Sequence, residues 1–141
     1  YALLLANQGD VEGAREKLDR ALKIAEESHG SKHLGVARTL ELFGFHHYQN
    51  GNYGEALQWY RRGLAIREEI FGPDHPSSGW NLYDQACLLA LSGDTKKALT
   101  ALNRALDLGW SNTRIFEDDD LDSLRGDPGF EAILDEVRAR L

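Results

Sequence analysis

The stretch GNYGEALQWYRRGLAIREEIFGPDH, residues 51–75, returns along the chain at a spacing of 42 residues. Gly9-Asp10, Gly51-Asn52 and Gly93-Asp94 stand 42 apart, as do Ala14, Ala56 and Ala98. Arg20-Ala21-Leu22, Arg62-Gly63-Leu64 and Arg104-Ala105-Leu106 keep the same interval, and Gly30 and His33 recur as Gly72 and His75. Residues 9–34 and 51–76 share 9 identities in 26 positions, against roughly one or two expected by chance at ordinary composition. A period of this size marks stacked repeats, each burying a face it cannot bury alone. Such arrays usually hold partners along an extended surface rather than perform chemistry in a pocket.

The complete copy defines the unit. Val36, Leu40, Phe43, Gly44 and His47 follow helical spacing and give one packed stripe. Asn50-Gly51-Asn52 ends that helix, because Gly and Asn accept the left-handed conformation of a helix terminus. A second helix follows, with Tyr53, Ala56, Leu57, Tyr60, Gly63, Leu64 and Ile66 inward. It stops at Phe71-Gly72-Pro73, and Asp74-His75-Pro76 then starts the next helix. In the third copy the first helix is expected from about Ser77 to Leu91, and the second from about Thr95 to Leu108 with Ala98, Leu99, Leu102, Ala105 and Leu106 inward. In the first copy only Tyr1 to Asn7 remain of the first helix, and the second runs from Val11 to about Ser28. Small residues at Ala14, Ala21, Gly44, Ala56, Gly63, Ala86, Ala98 and Ala105 let paired helices approach closely.

These residues resemble the tetratricopeptide repeat: a small residue midway along the first helix, a Gly-Asp/Asn turn, then Ala, an aromatic or Leu, and Ala down the second. Gly44, Gly51-Asn52, Ala56, Tyr60 and Gly63 match that pattern, and so do Ala86, Gly93-Asp94, Ala98, Leu102 and Ala105. The common repeat has 34 residues; the longer period here adds about one turn, roughly 6 Å, to each helix. Tyr53 to Pro76 is similar to the long-repeat subclass of kinesin light chains, which many bacterial proteins share. The adjacent Asn pair of kinesin light chains is replaced by Glu41-Leu42 and Tyr83-Asp84, so cargo recognition of the kinesin type is not implied. The resemblance implies an all-α fold: a right-handed α-solenoid of stacked antiparallel helix pairs. Its repeats would occupy residues 1–108, divided as 1–34 (truncated), 35–76 and 77–108.

Residues 109–141 leave the period. Asp127-Pro128 reads as an N-cap followed by proline in the first turn. Phe130, Ile133, Leu134, Val137 and Leu141 then form an amphipathic stripe. The stretch from Gly109-Trp110 through Asp120-Leu121 to Leu124–Phe130 resembles a C-terminal cap that closes such arrays in many bacterial proteins, some with an N-terminal kinase or other effector domain. It implies the C-terminal end of a longer parent, and the absence of any Met fits a piece of one.

Composition narrows the function classes. The formal charge of −7 opposes binding to a phosphate backbone; it mildly favours a basic partner, but acidity for solubility is the plainer reading. No apolar run approaches the roughly 20 residues of a membrane span, and the opening YALLLANQGD carries neither a basic flank nor a cleavage site. Cys87 stands alone, which excludes an intramolecular disulfide and points to a reducing, cytoplasmic setting. His46 and His47 are adjacent and point to different helix faces, while His29 and His33 are separated by Gly30-Ser31. No metal site or cofactor is therefore expected. Counted as a calcium loop from Asp118, the acidic run would need glycine at 123 and glutamate at 129, where Ser123 and Gly129 stand; it reads as a helix cap with a solvated acidic turn. No catalytic constellation or phosphate loop is present, so no enzyme is expected.

What remains is a partner surface. The resemblance implies a concave face lined by the first helix of each pair. On it would lie Arg38, Glu41, Leu42, Phe45, Tyr48 and Gln49 in one repeat, and Trp80, Tyr83, Asp84, Cys87 and Leu91 in the next. Aromatics and Arg dominate binding hot spots. The competing reading is that upstream repeats or the tail helix cover some of them. The face lacks the Lys and Asn of grooves that grip a C-terminal carboxylate. The expectation is a non-catalytic module binding a partner peptide or helix. The alternative is a regulatory C-terminal arm of a kinase, protease or transcription regulator, acting intramolecularly or by self-association through Tyr1, Leu3, Leu4 and Leu5 of the truncated helix.

Overall fold

The structure is a computed structural model that describes residues 34–141, together with Glu16, Asp19, Arg20, Leu22–Ile24 and Glu27. The readings at Tyr1 to Asn7, Ala14, Ala21, His29 and His33, including the proposed self-association edge, lie outside the described residues. Among the described residues there is no strand. The chain forms two compact units, Tyr1–Pro73 and Asp74–Leu141.

The first unit contains α1 (Leu34–Gln49) and α2 (Tyr53–Phe71). Gly51 sits at φ 78°, a left-handed value that costs glycine nothing. There the Gly51 amide donates to the Tyr48 carbonyl at 3.1 Å and the Asn52 amide to the His47 carbonyl at 2.9 Å. This paired closure satisfies carbonyls that a helix end otherwise leaves orphaned. One period later the same two bonds recur, from Gly93 to Ala90 at 3.1 Å and from Asp94 to Leu89 at 2.9 Å. The repeat is thus conserved at the level of individual hydrogen bonds.

The two helices meet where side chains are missing. A Cβ at Gly44 would lie 2.9 Å from the Tyr60 ring and 3.2 Å from the Ala56 carbonyl oxygen. A Cβ at Gly63 would lie 2.9 Å from Glu41 Cγ and 3.2 Å from the Ala37 carbonyl oxygen. Beside this crossing, Val36, Leu40, Phe43, Trp59 and Leu22 form a buried cluster, with Ile66 against it. Phe43 and Trp59 pack with centroids 4.2 Å apart, a pairing worth about 0.5–1.5 kcal/mol beyond area burial. Trp59 is absent from the expected inward set; it is buried, and Arg62 lies over its ring at 4.8 Å.

The second unit contains a short 3₁₀ turn (Pro76–Ser78), α3 (Gly79–Leu91) and α4 (Thr95–Asp107). The cap follows: α5 (Arg114–Glu117), a 3₁₀ segment (Asp119–Leu124) and α6 (Pro128–Ala139). Buried residues run round most of α3, so it is an interior helix. α4 and the 3₁₀ segment both pack on it, and α6 packs on α4. Asp127 caps α6 by accepting from Gly129 N at 2.8 Å and Phe130 N at 3.4 Å. Phe130, Ile133, Leu134 and Val137 are buried as expected. Leu141 is not: α6 ends at Ala139, and the last member of the stripe is 80% exposed.

Replacing Gly44 with Ala should lower stability by about 1–3 kcal/mol, because the Tyr60 ring is buried and cannot retreat. Gly54→Ala, where an added Cβ meets nothing within 4 Å, should be neutral or stabilising by about 0.5–1 kcal/mol. Urea titration of both variants checks the contrast.

Candidate functional site

On α1 the buried stripe leaves the opposite face open. Leu42 is 50% and Phe45 42% exposed, and Arg38 and Gln49 are exposed at either end of the strip. The half-buried Tyr48 is held from two sides. Phe45 packs on it at 6.4 Å, and Tyr53, the first residue of α2, meets it edge-on at 6.1 Å. The spacing 38, 42, 45, 49 keeps these side chains in one row. Glu41 is differently employed. Its carboxylate accepts from Arg67 Nε at 2.8 Å and from Nη2 at 2.7 Å, with both side chains largely covered. This bidentate pair joins α1 to α2, so Glu41 acts as a strut beside Gly63 rather than as an outward recognition group. The face therefore presents an apolar strip with one exposed guanidinium, Arg38.

Of the residues expected on the corresponding face of α3, Trp80 stays 47% exposed and Asp84 is half-buried. Tyr83 and Cys87 must be removed from the partner surface: they are 0% and 1% exposed. The cause is the chain's own tail. Trp110 stacks on Tyr83 at 4.6 Å and meets Trp80 edge-on at 5.6 Å. It reaches that position because Gly79 leaves a slot; a Cβ there would lie 2.7 Å from Trp110 Cβ. Asp118 completes the cover. Tyr83 OH donates to its Oδ2 at 2.5 Å, Cys87 Sγ lies 3.7 Å from the same oxygen, and Arg114 Nε lies at 3.4 Å. The other oxygen accepts from Asp120 N at 3.1 Å.

Burial first, and then the neighbouring Cys87 and Asp118, push the Tyr83 phenol well above its ordinary value of 10.0. It therefore keeps its proton and remains a donor. Asp118 was expected in a solvated acidic turn; its side chain is 8% exposed and ties the cap to α3. Counting 42 back from Tyr83 and Cys87 gives Glu41 and Phe45, so one face of the repeat is open on α1 and closed on α3. The signal for this was available in Gly79 and Trp110, a slot and a large ring separated by the third hairpin.

Among the described residues, no group of three or more His, Cys, Asp or Glu is placed to hold a metal ion. None of their helices is long and apolar enough to cross a membrane. An open hollow beside Asn112, Arg114, Phe116 and Asp120 is lined by charges of both signs, and Arg114 there is bound to Asp118.

The tetratricopeptide repeat family model matches residues 1–69 and 41–109. The clustered mitochondria protein homolog of Homo sapiens is 28% identical over 98 residues, covering 70% of this chain. That of Xenopus tropicalis is 26% identical over 98 residues, again 70% of this chain. The chain spans about 8% of the length of these curated relatives. Among solved structures, BtubC (BKLC) from P. vanneervenii superposes with a TM-score of 0.73 at 18% identity, covering 98% of this chain and 59% of that one. A kinesin light chain candidate from Podosopora anserina with nearly identical TPR-like repeats gives 0.67 at 19% identity, covering 98% of this chain and 70% of its own. At these identities the likeness is one of fold: a helical repeat solenoid.

Tyr83→Phe removes one donor from a buried carboxylate and should cost about 1–3 kcal/mol, read as a lowered Tm in differential scanning calorimetry.

Proposed function

This chain belongs to the tetratricopeptide repeat family, and we propose that it works as a non-catalytic protein-interaction module whose partner peptide or helix lies along α1. The observation that carries the reading is the exposed row Leu42–Phe45, backed by Tyr48 and flanked by Arg38 and Gln49. Large apolar side chains held in place by packing are suited to anchor a partner at little entropic cost. Arg38 would orient it, since no ion pair of Arg38 is found among the described residues. Trp80 and Asp84 are the parts of the α3 face that a partner could still reach. The net charge of −7 favours a protein over a nucleic acid, and the single thiol, Cys87, suits a reducing cytoplasmic setting.

Selection of a displayed 12-residue peptide library on the whole chain supplies defined ligands. Replacing Leu42 and Phe45 together with Ala should weaken such ligands by about 10-fold or more, with Tm unchanged because both side chains are already about half exposed. Ligands that bind the double variant as tightly as the parent would remove α1 as the site.

A further inference from the structure

The last turn of α1, which carries half of the proposed partner face, also contains two fully buried imidazoles. His46 and His47 are each 1% exposed, with ring centroids 5.3 Å apart, and Phe43 packs against both. His46 Nδ1 lies 3.1 Å from Asn50 Nδ2, and the same amide nitrogen donates to the His46 carbonyl at 3.0 Å. That double contact pins the amide, since turning it over would set its oxygen against the carbonyl oxygen. An amide NH₂ can only donate, so Nδ1 must offer a lone pair. The proton of neutral His46 therefore sits on Nε2, which is buried with no partner among the described residues.

Adding a second proton would place two donors face to face at Asn50. It would also leave a buried cation that no carboxylate among the described residues pairs with. Glu55, at the start of α2, lies 3.7 Å from His47 Nε2 rather than from His46. The helix C-terminus by itself favours a cation, but only weakly beside the burial of the ring. Burial moves the His46 pKa down from the ordinary 6.5. The unfolded chain thus takes up the proton first. The stability contributed by neutral His46 is complete above about pH 6.5 and declines as the pH falls below it.

We propose that the His46–Asn50 bridge is a proton-sensitive catch. In mildly acidic conditions it opens, the turn at Asn50–Asn52 loosens, and the face at Phe45, Tyr48 and Gln49 loses its support. The partner-releasing part of this statement rests on the α1 reading above; the opening of the turn does not.

Amide exchange of the whole chain, measured by NMR and corrected for intrinsic rates, tests it. Protection of the Gly51 and Asn52 amides should fall by about 10-fold between pH 7.5 and 5.5, as the opened turn takes up the proton that the closed one refuses. His46→Leu should abolish the fall. Asn50→Asp should reverse it, because a carboxylate would hold the proton on Nδ1. A flat wild-type profile, or a fall retained in His46→Leu, overturns the catch. A Phe45-dependent peptide from the library should weaken at pH 5.5 by a similar factor in the wild type but not in His46→Leu. Equal affinity at both pH values, with the exchange change present, overturns the release. The absence of any Phe45-dependent peptide at either pH would instead sink the proposed function and leave the exchange result to decide the catch.

Discussion

Two helix backbones can come into contact only where a side chain is absent, and the first unit rests on that constraint being met twice. Gly44 admits Tyr60, and Gly63 admits the Ala37 carbonyl and the stem of Glu41. Each glycine costs helix propensity of about 1 kcal/mol relative to Ala. The close crossing offsets this by bringing Val36, Leu40, Phe43 and Trp59 into one cluster, with each large side chain contributing about 1.5–3 kcal/mol on burial. Once the crossing fixes which stripe of α1 faces α2, the opposite row of side chains is decided as well. The exposed row on α1 is therefore a geometric remainder of the packing face, and the Glu41–Arg67 strut ties α1 to α2 beside it.

The two turns at Gly51 and Gly93 carry the same pair of hydrogen bonds, yet different chemistry surrounds them. At the first turn, Asn50 bridges back to His46. At the second, Ser92 Oγ donates to the Leu88 carbonyl at 2.9 Å, and the Asp94 carboxylate accepts from Lys97 N at 3.2 Å. The backbone closure is what the repeat requires; the side chains around it are free to differ. A hydroxyl bonded to its own helix is indifferent to pH in the physiological range, whereas an imidazole placed there is not. Titration behaviour is thus a local choice laid over a common scaffold.

Much of the fold was legible because its signals are periodic. The glycine turns, the small residues at Gly44, Gly63, Ala86, Ala98 and Ala105, and the stripe Val36 to His47 repeat at fixed intervals, and helical spacing converts each interval into a face. The boundaries of α2 at Tyr53 and Phe71 follow from Gly51-Asn52 and Gly72-Pro73. The cap was legible only in α6, where Asp127-Pro128 and an amphipathic stripe are local signals. Residues 110–124 have no period, and their placement depends on contacts distant in sequence: Trp110 in the Gly79 slot and Asp118 under Tyr83. Trp59 lies close in sequence to Arg61 and Arg62, which locally reads as surface, yet it is buried with Arg62 over its ring. For the candidate site, the resemblance and helical spacing together set Leu42 and Phe45 on the same row as Tyr83 and Cys87. Nothing local could separate them from Tyr83 and Cys87, whose burial is the work of the tail.

That separation is nonetheless written in the sizes of equivalent residues. Where α1 has Phe45 projecting outward, α3 has the small Cys87, and the volume it does not fill lies beside the Asp118 carboxylate. Where α1 has Glu41, already neutralised by Arg67, α3 has Tyr83, whose ring offers Trp110 a stacking surface and whose hydroxyl offers Asp118 a proton. A side chain meant to be covered by the chain itself can be small or shaped to a fixed neighbour, because that neighbour is always present. One that must wait for a separate molecule has to stay soluble in its absence and still supply anchoring area when it arrives. Leu42 and Phe45 are exposed in one row, with the polar Arg38 and Gln49 at its two ends. The difference between the two helices is thus that the chain's own tail covers the face of α3, while the equivalent row on α1 stays exposed.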